Sequence, residues 1–294
     1  MMAARGERGE YGPIAAVIGW PIGHSLSPVL HRYWLRSEGI AGDYVALAVR
    51  PDRLAEALAG LSALGFAGAN VTIPYKTAVL ALADRVDPLA GRVGAANLIL
   101  RDARARWLAM NSDVTGVAEA LRQALPDLVP DGVRALVLGA GGAARAVVAA
   151  LCDLGIGSVV VANRHRERAE ELVTAFGDAR LTTIAWHERS HALVDTGLLI
   201  NATSLGMQGY PRLTLDLSLL PTRAAVFDLV YRPLETPLLR EARERGLKTI
   251  DGLAMLVHQA VPAFAAFYGR KPQDIAGAEA ALHHHLADER ENEA

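Results

Sequence analysis

The chain has 294 residues, 51% hydrophobic and only 5% aromatic. That is enough for two domains, each burying its own core. The net charge of -2 gives no bulk electrostatic argument for a nucleic-acid partner or an anionic membrane. With one cysteine, Cys152, no disulfide framework can form, which fits a reducing cytoplasm.

The first ten residues are rich in Arg, Glu and Gly. They read as a poor signal peptide and a frayed tail. No apolar run is long enough to span a membrane. After them, short apolar strands alternate with helical stretches, the pattern of a parallel α/β protein.

A strand over residues 15–19 leads into Gly23-His24-Ser25-Leu26-Ser27-Pro28. Ser27 reads as an N-cap and Pro28 as the first residue of a helix over 28–39. The two hydroxyls, with helix N–H groups, also suit a carboxylate. A strand over 43–48 and a helix over 51–64 follow. Next comes Asn70-Val71-Thr72-Ile73-Pro74-Tyr75-Lys76, a strand over 69–73 closed by a proline that cannot donate to a ladder. In open α/β sheets ligands bind beyond the carboxyl ends of strands. Lys76 stands there, and lysine suits proton transfer because its pKa shifts readily.

A helix over 77–83 and strands over 97–101 and 107–111 follow. Asn97 comes just after Gly94-Ala95-Ala96, and Asn111-Ser112-Asp113 ends the next strand. Asp113 reads most simply as the cap of a helix starting near Val114. Near a lysine it would instead hold an ammonium and set its pKa. A polar connection over 125–132 separates this series from a second one.

The second series has strands over 134–138, 158–162, 181–185, 198–201, 225–229 and 248–250. Its first strand runs into Gly139-Ala140-Gly141-Gly142-Ala143 and an Ala-rich helix. This is a G-x-G-x-x-A turn, whose glycines admit a pyrophosphate to a helix N-terminus. The next strand ends in Asn163-Arg164-His165-Arg166-Glu167-Arg168, where an NAD site carries an acid. Guanidinium groups at Arg164 and Arg168 would clamp a 2′-phosphate, so NADP is expected.

Asn201-Ala202-Thr203-Ser204 forms a polar turn after a strand. Tyr231 follows Asp228-Leu229-Val230. Gln259 lies among apolar residues of a helix over 252–268, where Pro262 would kink it. A buried glutamine needs partners, and a polyhydroxylated ligand would supply them. Cys152 reads as a small buried hydrophobe. His283-His284-His285 reads as a solvated helix end, since three adjacent residues diverge on a helix and make no one-face metal set.

Together these segments resemble shikimate dehydrogenase, of the shikimate/quinate dehydrogenase family. The resemblance runs in order from about Ile14 to Tyr268 and includes Asp251-Gly252-Leu253-x-Met255-Leu256-x-x-Gln259. It implies an α/β substrate-binding domain from both chain ends, 1–113 and 252–294. It also implies an inserted Rossmann-type NADP-binding domain, 114–251, with the active site in the cleft.

The implied activity is reversible NADP-dependent reduction of 3-dehydroshikimate to shikimate, toward aromatic amino acids. Lys76 and Asp113 would be the catalytic pair. Ser25 and Ser27 would hold the substrate carboxylate. Thr72, Asn97, Asp113 and Gln259 would bind the ring hydroxyls, with Tyr231 nearby. Gly139, Ala140, Gly141, Gly142, Ala143, Asn163, Arg164 and Arg168 would hold NADP, with Leu229 and Gly252 by the nicotinamide. No metal, nucleic acid or membrane is implied, and oligomeric state is left open, a homodimer included.

Four positions depart from the family pattern: Arg32, Leu98, Ser112 and His165. Leu98 bears on a ring-hydroxyl contact and His165 on cofactor preference. Two alternatives follow: a quinate or aminoshikimate dehydrogenase of the same family, or a non-catalytic NADP-binding regulator.

Overall fold

The structure is a computed structural model that describes residues 12–293. The segment read as a frayed tail lies outside the described residues. The chain divides into two compact units, residues 1–112 with 259–294, and residues 113–258.

The first unit carries a six-stranded sheet of order β2-β1-β3-β5-β6-β4. Its strands are β1 (Ile14–Gly19), β2 (Asp43–Ala48), β3 (Gly68–Val71), β4 (Arg85–Val86), β5 (Leu98–Arg101) and β6 (Trp107–Met110). β1 pairs parallel with β2 and β3, but β5 runs antiparallel to both β3 and β6. This half is therefore mixed, not parallel throughout. Only the β5–β6 pair has a local cause. β5 and β6 are joined by a hairpin, in which Asp102 Oδ1 accepts from Arg104 N at 2.8 Å and Arg106 N at 3.0 Å.

Successive strand residues face opposite sides of the sheet. Ala16, Ile18, Ala69, Val71 and Ile99 pack with Leu54, Leu58 and Leu61 of α2 (Leu54–Ala63). Ala15, Val17, Tyr44 and Leu98 form the other core with Ala263 and Phe267 of α8 (Gly252–Tyr268). α8 is assigned as one helix through Pro262.

Several local expectations are corrected. β3 ends at Val71, two residues early. Thr72 N still donates to Ile18 O at 3.0 Å, but Ile73 turns outward and is 56% exposed. The helix expected over 77–83 is a short 3₁₀ turn, Ala78–Leu82. α1 (Ser27–Ser37) begins one residue sooner than its proline suggested, because Leu26 is already helical (φ −86°, ψ −5°). Leu26, not Ser27, is thus the cap. α3 (Pro88–Val93) was not anticipated, although Asp87 caps it at Leu89 N (2.9 Å) and Gly94 closes it at φ 66°. The three histidines lie inside α9 (Ile275–Glu293) rather than at its end. His284 and His285 pair with Asp288 and Glu289 one turn on, at 3.4 Å.

The second unit holds a six-stranded parallel sheet of order β12-β11-β10-β7-β8-β9. Its strands are β7 (Arg134–Leu138), β8 (Ser158–Asn163), β9 (Leu181–Ala185), β10 (Leu198–Asn201), β11 (Ala225–Asp228) and β12 (Lys248–Ile250). Counted within the unit this is the order 3-2-1-4-5-6 of dinucleotide-binding sheets. Parallel strands covered on both faces are apolar throughout. Leu136, Leu138, Val160, Ala162, Leu199 and Val226 accordingly pack with Leu238, Leu239 and Ala242 of α7 (Pro237–Glu244). Cys152, in α5 (Gly142–Asp153), is only partly buried. Burial, and then the Asp178 carboxylate, push its thiol up to about 11, so it stays protonated and inert at neutral pH.

Candidate active site

In the first unit, the candidate substrate residues gather where β1, β3 and β5 end or begin. Ser25 Oγ accepts from Ser27 N at 3.3 Å, taking up a helix-start donor that Leu26 has no side chain to serve. Ser27 is 7% exposed. Tyr44, fully buried on β2, donates its Oη to Asn70 Oδ1 at 2.7 Å. Asn70 Nδ2 donates to the Asn97 carbonyl at 3.1 Å.

The Asn97 side chain is held from several directions. Its Oδ1 accepts from Ser112 N at 2.7 Å, and its Nδ2 donates to Ser112 Oγ at 2.9 Å and Gln259 Oε1 at 3.1 Å. Gln259 is 7% exposed, so the partners the sequence demanded are found within the protein. Lys76 is half-buried, and its carbonyl accepts from Ala96 N at 2.7 Å. That bond ties the Pro74–Lys76 turn to the residue preceding Asn97. Thr72, half-buried, sits between β3 and this turn. Leu98 is 2% exposed and faces the apolar core around Val17 and Tyr44, away from any polar ligand.

Asp113 is 2% exposed, the first residue of α4 (Asp113–Ala124) and of the second unit. In that unit β7 ends in the glycine turn. Gly139 has φ +113°, and a Cβ there would lie 2.9 Å from Ala202 O. Only glycine fits both demands. Gly141, the cap of α5, has open space where a Cβ would project. With Ala140 packed inward and Gly142 and Ala143 opening α5, this is a cradle bounded by free helix N–H groups, the fit a pyrophosphate requires.

Asn163 Nδ2 donates to His165 O at 2.8 Å and shapes the loop before α6 (Arg166–Phe176). Arg164, His165 and Arg168 are exposed there. Arg166 pairs instead with Glu170 at 2.7 Å.

Sequence reasoning missed a buried knot beneath these loops. Asp228, fully buried, accepts from Asn201 Nδ2 (2.9 Å), Val230 N (3.1 Å) and Thr236 Oγ1 (2.7 Å). Burial pushes its pKa up to about 6 against those three hydrogen bonds. Leu229 N donates to Asn201 O at 3.0 Å, and a Cβ at Gly252 would lie 2.3 Å from Leu229 O. The start of the loop leading to half-buried Tyr231 is thereby held. The available signal was a lone acid closing an apolar strand, Ala225-Val226-Phe227-Asp228. Tyr44 left less trace, since aromatic residues in strands are usually core.

Among the described residues, no three His, Cys, Asp or Glu side chains gather as a metal site, and no helix is long and apolar enough to cross a membrane.

These features define a two-domain α/β protein, one of whose domains is a Rossmann-type dinucleotide fold. Residues 17–99 match the family profile described as the shikimate dehydrogenase substrate binding domain, and residues 121–208 match shikimate / quinate 5-dehydrogenase. The shikimate dehydrogenase (NADP(+)) of Paramagnetospirillum magneticum is 49% identical over 260 residues, covering 88% of this chain and 94% of that one. The chain belongs to the shikimate dehydrogenase family. Among solved structures, shikimate 5-dehydrogenase from Thermus thermophilus in complex with NADP(H) and shikimate is 39% identical with TM-score 0.82, covering 92% and 99%. Quinate dehydrogenase from Corynebacterium glutamicum in complex with NAD is 31% identical with TM-score 0.84, covering 92% and 98%.

Proposed function

We propose that this chain catalyses the reversible, NADP-dependent reduction of 3-dehydroshikimate to shikimate. The observation that carries the reading is the polar cluster of the first unit. Ser27, Asn97 and Gln259 are buried, Asn97 donates to Gln259, and Lys76 is tied to the backbone one residue before Asn97. A ring bearing a carboxylate and several hydroxyls matches that donor and acceptor set. Residues 1–112 with 259–294 would bind the substrate and residues 113–258 the cofactor.

The bound cofactor supplies hydride exchange at its nicotinamide ring. Ser25 and Ser27 orient the substrate through its carboxylate. Thr72, Asn97 and Gln259 hold the ring hydroxyls, Tyr231 lies near the substrate, and near-attack geometry is thereby favoured. Negative charge grows on the ketone oxygen during reduction. Protonated Lys76 donates to that oxygen as general acid, and neutral Lys76 takes the hydroxyl proton back in the oxidation direction. Asp113 is assigned the carboxylate that favours the charged lysine. Gly139 to Ala143 would cradle the pyrophosphate, with Asn163, Arg164 and Arg168 around the 2′-phosphate and Leu229 and Gly252 by the nicotinamide. A soluble enzyme with one inert thiol fits the cytoplasm.

Quinate is the nearest competing substrate. Burial of Leu98 in the apolar core argues against it, because that departure from the family pattern does not face the polar cluster. Initial rates with shikimate and with quinate, each with NADP and NAD, test the reading. Turnover confined to shikimate with NADP is expected. Preference for quinate or NAD overturns the assignment.

A further inference from the structure

Asn201 and Asp228 close β10 and β11, and both are fully buried. Burying a carboxylate is unfavourable unless hydrogen bonds hold it, and an apolar residue would fill the same space without that penalty. What the carboxylate adds is fixed direction. Its Oδ1 takes Asn201 Nδ2 at 2.9 Å and Val230 N at 3.1 Å, and its Oδ2 takes the Thr236 hydroxyl at 2.7 Å. Asn201 carries the hold outward. Its Oδ1 accepts from Thr203 N at 3.1 Å and Thr203 Oγ1 at 2.7 Å, and its Nδ2 also donates to Leu205 O at 3.0 Å. The loop after β10 and the loop after β11 are thus fastened to one carboxylate.

The knot lies beside the point where strand order reverses, between β7 and β10. A dinucleotide lies across that point, with one nucleotide over each half of the sheet. Arg164 and Arg168 follow β8, so the adenosine half belongs over β7, β8 and β9. The nicotinamide half then falls to β10 and β11. Both fastened loops press on glycines of the cofactor site. A Cβ at Gly139 would lie 2.9 Å from Ala202 O and 3.2 Å from Thr203 Cγ2, and one at Gly252 would lie 2.3 Å from Leu229 O. We propose that Asp228, acting with Asn201, is a positioning residue for the nicotinamide half of the cofactor. It sets where Ala202, Thr203 and Leu229 stand, and it touches no cofactor atom. This rests on the placement of NADP given above. Loosening the knot therefore weakens binding of the whole dinucleotide and spares its adenosine fragment.

The probes are NADP and 2′,5′-ADP, which keeps the 2′-phosphate and lacks the nicotinamide. Each is titrated calorimetrically into the parent and its variants. Asp228→Ala should weaken NADP by about tenfold, the size of one lost hydrogen bond, and leave 2′,5′-ADP nearly unchanged. Asp228→Asn keeps one carbonyl oxygen for Asn201 and Val230, and should recover most of that affinity. Asn201→Ala should match Asp228→Ala, and the double variant should be no worse than either, because both break one linkage. If Asp228→Ala fails to fold, Asn201→Ala carries the same comparison, since Val230 N and the Thr236 hydroxyl still hold the carboxylate. Parent affinity for NADP in the folded variants overturns the proposal. So does an equal loss for 2′,5′-ADP, which marks general loosening. Arg164→Ala, by contrast, must weaken both probes. If it leaves 2′,5′-ADP untouched, the adenosine half is misplaced, and the placement of NADP falls together with the proposal.

Discussion

Asn201 and Asp228 are register partners at the carboxyl ends of β10 and β11, and the amide of the first donates to the carboxylate of the second at 2.9 Å. One buried carboxylate thereby shapes both loops, since it also takes Val230 N and the Thr236 hydroxyl. Asp228→Ala should destabilise the protein by about 1–3 kcal/mol, the cost of leaving buried donors unpaired. Asp228→Asn should cost less. The carboxyl is raised from 3.8 to about 6 in the fold. The folded state therefore binds more protons across that window. Its favourable contribution is complete below 3.8 and lost as pH rises through 6. Urea titrations across that range should show this slope in the parent and its absence in Asp228→Asn.

His31 has the opposite sign. Burial lowers its pKa from 6.5 to about 3, so the unfolded chain binds the extra proton. Stability from this site is full above 6.5 and falls as pH drops toward 3. At pH 5 the loss is about 2 kcal/mol for one such group. The thermal midpoint of His31→Leu should accordingly fall less than the parent's between pH 7 and pH 5. Parallel midpoints would remove His31 from the account of acid lability.

Lys76→Ala should lower kcat by about 10²- to 10⁴-fold, the usual contribution of a positioned general acid or base. The dissociation constant for shikimate should change far less. A variant that binds shikimate weakly but turns over normally would assign Lys76 to binding instead.

Arg164→Ala should weaken NADP by about 10- to 100-fold, the value of a charge-assisted hydrogen bond to phosphate. NAD, which lacks the 2′-phosphate, should bind as before. Calorimetric titration with both dinucleotides decides this, and equal losses would dissolve the clamp.

Gly139→Ala and Gly141→Ala should part company. At Gly139 the Cβ meets Ala202 O at 2.9 Å with φ +113°. A cost of about 1–3 kcal/mol in stability is expected. At Gly141 the space is open and φ is −83°, so stability should hold while NADP affinity falls. Unfolding and binding measured on the same two variants separate backbone strain from cofactor approach.

The second unit was the more legible of the two. Its strands are uniform apolar runs between turn signals, so β7, β9, β10 and β12 lie over the residues expected. The glycine turn and the arginines after β8 are local features, readable because backbone freedom and charge depend on residue type alone. In the first unit the direction of β5 was hidden, since a strand's partner depends on where the chain returns and not on its own residues. The role of Leu98 was hidden as well, because the face it presents follows from that pairing.

By itself, the sequence determined the α/β class, the dinucleotide turn and the short list of polar residues beyond strand ends. Periodicity, glycine conformation and charge are properties of short segments. Tertiary structure alone decided that Tyr44 and Asp228 belong with those residues. The Tyr44–Asn70–Asn97 linkage joins β2, β3 and the start of β5, and Asp228 gathers donors from two loops. A hydrogen bond needs a distance near 3 Å, and only packing of the sheets sets that distance between residues far apart in the chain.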